Sequence, residues 1–179
     1  MLKNKLEGTM KLLALLFAAG IAVSSTSAVA ALADKEYEDP GGKFKILLMG
    51  DWRAVSYSDA VGRRKTEFVY RDRSEGLLKI ARENLGSRAV ADVAREEEEN
   101  LKVYKGGLEI TGNEPFRGGS LKGIRLSFFY VEGGRRFAAT HYYLQDGDGV
   151  WVLRFVGKRG AVDAIRNITD QMARSFRTL

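Results

Sequence analysis

Residues 121–157 read LKGIRLSFFYVEGGRRFAATHYYLQDGDGVWVLRFVG, and the fold is decided by how they pair. Three aromatic-rich runs are separated by Gly133-Gly134 and Gly147-Asp148, dipeptides suited to two-residue hairpin turns. A turn on Gly133-Gly134 sets Tyr130 opposite Phe137, Phe128 opposite Ala139 and Leu126 opposite His141. The second turn sets Leu144 opposite Trp151 and His141 opposite Arg154. Side chains alternate along a strand, so one face carries Ile124, Leu126, Phe128, Tyr130, Phe137, Tyr143 and Val152. The other carries Phe129, Val131, Tyr142, Leu144, Trp151, Leu153 and Phe155. An antiparallel sheet commonly leaves one face in water, but here both faces are apolar and both need cover. The expected fold class is therefore α/β (α+β), an α/β/α sandwich around a central antiparallel sheet.

The covering elements lie on either side of the meander. Ala161, Ile165, Ile168, Met172 and Phe176 recur every three or four residues and predict an amphipathic C-terminal helix beginning after Gly160. Residues 87–101 (SRAVADVAREEEENL) predict a second helix, with Ser87 as its cap and Val90, Val93, Ala94 and Leu101 on one stripe. This helix and the N-terminal strands are expected to cover the face that the C-terminal helix leaves open. Those strands are read at 44–49, 52–57, 66–71 and 77–85. Residues 103–123, rich in glycine, read as short strands and turns, and residues 34–43 (DKEYEDPGGK) as a flexible leader to one domain over 44–179.

Residues 1–33 read as an export signal. Lys3, Lys5 and Lys11 precede the uncharged run from Leu12 to Val23, and Ala28-Val29-Ala30 or Ala31-Leu32-Ala33 supplies a small-residue cleavage site. The apolar part is shorter than the roughly 20 residues of a spanning helix, so cleavage to a periplasmic or extracellular domain is favoured over a retained N-terminal anchor. The chain has no cysteine, which excludes disulfides, lipidated cysteine and Cys/His zinc sites. Loss of 1–33 removes three Lys and one Glu, so the net charge falls from +6 to +4, too mild for a nucleic-acid binder.

The order of strands, helix, glycine-rich strands, meander and last helix, ending in Arg174-Ser175-Phe176-Arg177, resembles the fold family of the photosystem II extrinsic protein PsbP. The early Phe44-Lys45-Ile46 followed by Trp52 belongs to the same resemblance. It covers residues 44–179, and it implies an accessory or binding role like those of the family's nuclear Ran-binding and bacterial envelope members. It brings no shared catalytic set. The sequence departs from the family's pattern in lacking a proline before the tryptophan and in the acidity of Glu96 to Glu99.

Few residues carry chemistry. His141 is the only histidine, and no nucleophile elbow, Walker pattern or dinucleotide fingerprint occurs, so no catalytic residue, metal site or cofactor is assigned. Asp146-Gly147-Asp148-Gly149 reads as hairpin chemistry, and consecutive glutamates on a helix point about 100° apart and cannot converge on one ion. Basic pairs recur beside glycine turns at Arg63-Arg64, Arg135-Arg136 and Lys158-Arg159, and these six form a candidate partner-binding rim if their turns share one end of the sheet. The leading expectation is a non-enzymatic exported domain that uses this rim to bind a protein or envelope component, including an anionic membrane surface. A second is a carrier of a small ligand or metal ion in a pocket lined by Tyr130, Tyr142 and Trp151, and a third is a hydrolase joining His141 to Ser127 or Ser120.

Overall fold

The computed structural model describes residues 34–179, so the expected signal segment lies outside the described residues. Along the chain run β1 (Lys35–Glu38), β2 (Phe44–Leu48), β3 (Trp52–Ser58), β4 (Arg64–Tyr70), β5 (Gly76–Asn84), α1 (Val90–Tyr104) and β6 (Gly106–Gly118). The meander β7 (Leu121–Glu132), β8 (Arg135–Asp146) and β9 (Gly149–Lys158) follows, then α2 (Arg159–Ser175) and β10 (Arg177–Thr178). A seven-stranded sheet has the order β3-β4-β5-β9-β8-β7-β6, antiparallel throughout, and a second sheet has the order β1-β2-β10.

The meander pairs as its turns require. Gly133 and Gly134 both take positive φ, +56° and +73°, as a type I′ turn demands of its two central residues. Tyr130 is thereby fixed opposite Phe137 and Leu126 opposite His141, while the second hairpin sets His141 opposite Arg154 and Leu144 opposite Trp151. Both faces of the sheet are covered. On one, Leu126, Phe128, Tyr143 and Val152 pack with Val93, Ala94 and Leu101 of α1. On the other, Tyr142, Leu144, Leu153 and Phe155 pack with Ile165, Met172 and Ala173 of α2 and with Phe176. The chain forms the expected α/β/α sandwich.

Four local expectations differ from what forms. The first is the flexible leader: Lys35–Glu38 is a strand on β2, and Asp39 closes the turn between them by accepting the Gly41 N–H at 3.1 Å. The second concerns the N-terminal strands, which divide. β3, β4 and β5 extend the central sheet, while β1 and β2 lie over the α2 face and not beside α1. Strand β2 alternates, with Phe44, Ile46 and Leu48 buried; the Phe44 ring stands 5.5 Å from Trp151 and 5.4 Å from Phe176. Third, α1 starts later than Ser87, with Ala89 at its N-cap and no side-chain cap; the turn before it is closed by Asn84, which accepts the Gly86 N–H at 2.7 Å. Fourth, the glycine-rich stretch is one long strand, β6, whose pairing with β7 shifts register between Gly106 and Glu109 and between Ile110 and Gly112.

A polar latch fastens α2 to the sheet. Arg125 on β7 donates to Glu114 on β6 at 2.6 Å and also to Asp170 on α2, and the Tyr142 hydroxyl donates to the same Asp170 carboxylate. Removing the carboxylate strands a guanidinium and a phenol at the helix–sheet boundary. Asp170→Ala is therefore expected to cost about 2 to 4 kcal/mol of unfolding free energy, measured by urea denaturation, against at most about 1 kcal/mol for an exposed pair such as that of Arg95 and Asp92.

Candidate functional site

The direction of the strands decides which charges meet. β8 opens at Arg135, β9 closes at Lys158, and Phe137 pairs with Lys158, so both basic pairs occupy one end of the sheet. Arg135, Arg136, Lys158 and Arg159 line a recess of about 510 Å³ with Gly160. Their density follows from the tight Gly133-Gly134 turn, which projects two arginines, and from the direct passage of β9 into α2. No acidic residue stands in the first turn of α2, so the helix's positive end adds to the cationic field. The Arg159 guanidinium lies 3.9 Å from the Phe129 ring centre. Among the described residues neither Arg135 nor Arg136 is in a salt bridge, and both are exposed.

The third basic pair does not join them. Arg64 opens β4 opposite Ser58, at the end where β5 finishes and β9 begins, so Arg63 and Arg64 stand at the opposite end of the sheet. Arg63 is held in its own turn, its Nε 2.9 Å from Asp59 Oδ2. Sequence reasoning missed Lys105, whose Nζ is 2.9 Å from Glu132 Oε1 and 4.4 Å from the Tyr130 ring centre, at the cationic end. Its sign was present in the sequence, directly after the helix and before the glycines, but its partner is distant along the chain.

Tyr130, Tyr142 and Trp151 do not share a pocket. Tyr130 packs in the layer under α1, whereas Tyr142 and Trp151 pack in the layer under α2. All three are buried, at 6 %, 0 % and 4 % exposure, and the polar atoms of two are engaged. Trp151 donates its indole N–H to Asp146 at 3.0 Å, and Tyr142 donates to Asp170. A recess of about 980 Å³ lies elsewhere, between β1 and the start of β3, and is lined by Tyr37, Leu48, Trp52, Arg53 and Arg71 among others.

His141 is sealed under α1. Its Nδ1 lies 3.4 Å from the Tyr143 hydroxyl and 3.7 Å from Glu97, and its ring packs edge-on to Phe128. Ser127 pairs with Thr140 and points to the other face, and Ser120 lies in the turn between β6 and β7, so the hydrolase grouping is not assembled. The acidic run disperses around the helix. Glu96 meets Arg88, Glu97 approaches His141 and Arg154, and Glu98 and Glu99 both meet Lys102. The Asp146 to Gly149 turn is a hairpin whose two carboxylates face Arg82, at 3.7 Å and 3.2 Å.

Burial, with Arg154 adding its charge, pushes the His141 imidazole down to about 3. An unfolded histidine titrates near ~6.5, so the unfolded chain binds the extra proton first and stability falls as pH drops from there toward 3. The expected loss between pH 7 and pH 5 is about 2 kcal/mol from this group, read by denaturation at each pH. His141→Gln is expected to flatten that part of the profile; an unchanged slope contradicts the buried neutral ring.

No family model matches the chain, and no curated protein matches its sequence. Solved structures do match in three dimensions. Cyanobacterial PsbP (CyanoP) from Synechocystis sp. PCC 6803 is 15% identical with a TM-score of 0.57, over 88% of this chain and 99% of that one. LpqN, involved in cell envelope biogenesis of Mycobacterium tuberculosis, is 14% identical with a TM-score of 0.60, over 82% and 90%. The Ran-binding protein Mog1p of Saccharomyces cerevisiae is 11% identical with a TM-score of 0.56, over 81% and 95%. At such identities the likeness speaks for the fold alone: this chain has the PsbP-like fold.

Proposed function

We propose that the chain is a non-catalytic, exported binding module that engages an anionic protein or envelope component through the cationic end of its central sheet. The observation that carries this reading is the gathering of Arg135, Arg136, Lys158 and Arg159 around Gly160 at the start of α2. Cations held together on rigid strand ends and beside a helix N-terminus attract an anionic surface, steer its approach and fix its orientation.

Two further facts support it. The only histidine is buried against α1, away from either serine considered as its partner, and both faces of the sheet are filled with side chains. Proteins of the same fold include one named as Ran-binding and one named for envelope biogenesis, which fits the fold's use as a scaffold for contact. Export rests on the basic, apolar and small-residue order of residues 1–33. Among the described residues no helix is long and apolar enough to cross a membrane.

The test is affinity capture from an envelope extract. Arg135→Glu with Arg136→Glu is expected to weaken the captured contact by at least about tenfold, and added salt to weaken the wild-type contact likewise. Arg63→Glu with Arg64→Glu, at the far end, is expected to leave it unchanged. Equal loss in both pairs of variants, or loss in neither, contradicts the assignment.

A further inference from the structure

Among the described residues the large apolar side chains left in water gather at the two ends of the sheet, Tyr57, Val61 and Leu179 at the Arg63 end and Val103, Tyr104 and Val131 at the cationic end. Val103 and Tyr104 close α1 just before Gly106 opens β6. Gly106 pairs with Val131, Val131 pairs with Arg136, and Phe137 beside it pairs with Lys158. From β6 across to β9 the same end thus presents Val103 and Tyr104, then Val131, then Arg135 and Arg136, then Lys158 and Arg159. Adjacent strands are about 4.8 Å apart, so the row spans roughly 15 Å.

Exposure here is extreme for the residue types: Val103 is 74 % and Tyr104 80 % accessible. Neither fills the α1 stripe, which is completed by Val93, Ala94 and Leu101. Apolar tips beside cations are the two halves of an interfacial membrane contact, in which short side chains enter the boundary of headgroups and acyl chains while Lys and Arg meet phosphates. Tyrosine suits that depth, its ring apolar and its hydroxyl wet. In this row Glu132 is paired with Lys105 at 2.9 Å, while Asp72 and Glu75 belong to the adjoining β4–β5 turn, whose Ser74 carbonyl accepts the Lys158 N–H. At the other end Tyr57, Val61 and Leu179 are also exposed, but there Arg63 is tied to Asp59 and Arg82 to Asp148.

We propose that this end of the sheet docks edge-on against an anionic lipid surface, with Val103, Tyr104 and Val131 entering the headgroup layer and Arg135, Arg136, Lys158 and Arg159 meeting its phosphates. The inference rests on the cationic-end reading above and names its partner.

Because the chain has no cysteine, single labels are unambiguous. Full-length protein carrying Val103→Cys or Val61→Cys, each bearing an environment-sensitive fluorophore, is mixed with phosphatidylcholine vesicles with and without phosphatidylglycerol. The label at 103 is expected to shift to the blue only when phosphatidylglycerol is present, and the label at 61 to stay unchanged. Each basic residue near such a surface contributes about a fivefold gain in partition, so adding Arg135→Glu and Arg136→Glu is expected to lower it about 100-fold or more. A silent label at 103, an equal shift at 61, or partition indifferent to the charge reversal overturns the proposal. If the reversal abolishes capture of an envelope protein while position 103 stays silent, the partner is an acidic protein: the binding-module reading stands and the lipid assignment falls. If capture is also indifferent to the reversal, both fall.

Discussion

A sheet that is apolar on both faces must be covered twice, and the rest of this molecule follows from that requirement. Strands β7 to β9 place Leu126, Phe128, Tyr143 and Val152 on one side and Tyr142, Leu144, Leu153 and Phe155 on the other. Burying each such side chain contributes about 1.5 to 3 kcal/mol, so leaving either face open forfeits an amount comparable with a domain's whole net stability. Helix α1 covers one face. The other is larger and needs α2 together with β2, whose Phe44 ring bridges Trp151 and Phe176. The Arg125, Asp170 and Tyr142 latch then orients α2.

Filling both faces leaves the sheet's interior occupied by side chains. The polar groups that first suggest chemistry are consumed in packing or turning: His141 is buried under α1, and the carboxylates of Asp146 and Asp148 face Arg82. The strand ends are exposed, and the two ends of the sheet differ in charge. One holds Arg63 in a turn with Asp59 and Arg82 against the hairpin aspartates. The other gathers Arg135, Arg136, Lys158 and Arg159 beside exposed Val103 and Tyr104.

The register of the meander was legible in the sequence because two-residue glycine turns fix pairing without ambiguity, and pairing then fixes faces. That same register places Tyr130 and Tyr142 on opposite faces, which is why they do not share a pocket. Alternation does not say which layer a strand joins: Phe44, Ile46 and Leu48 signal a half-buried strand but not that it lies over α2. The composition of residues 34–43 hid β1, whose side chains are mostly exposed and whose order comes from backbone pairing with β2. Four members of the candidate site were readable as basic residues at turns. Which end each turn occupies depends on counting antiparallel reversals, and that count separated Arg63 and Arg64 from the rest. Val103 and Tyr104 fell in the stretch read as strands and turns, whereas α1 runs on through them and leaves both exposed.

The central claim is that one end of a doubly covered sheet is the contact surface. Amide hydrogen exchange of the full chain, with and without envelope membrane vesicles, tests it most directly. Slowed exchange at residues 102–106, 131–136 and 158–161, with the turn at 59–63 unchanged, is the predicted result. Protection confined to 59–63, or to the recess between β1 and β3, with the cationic end exchanging freely, would contradict it.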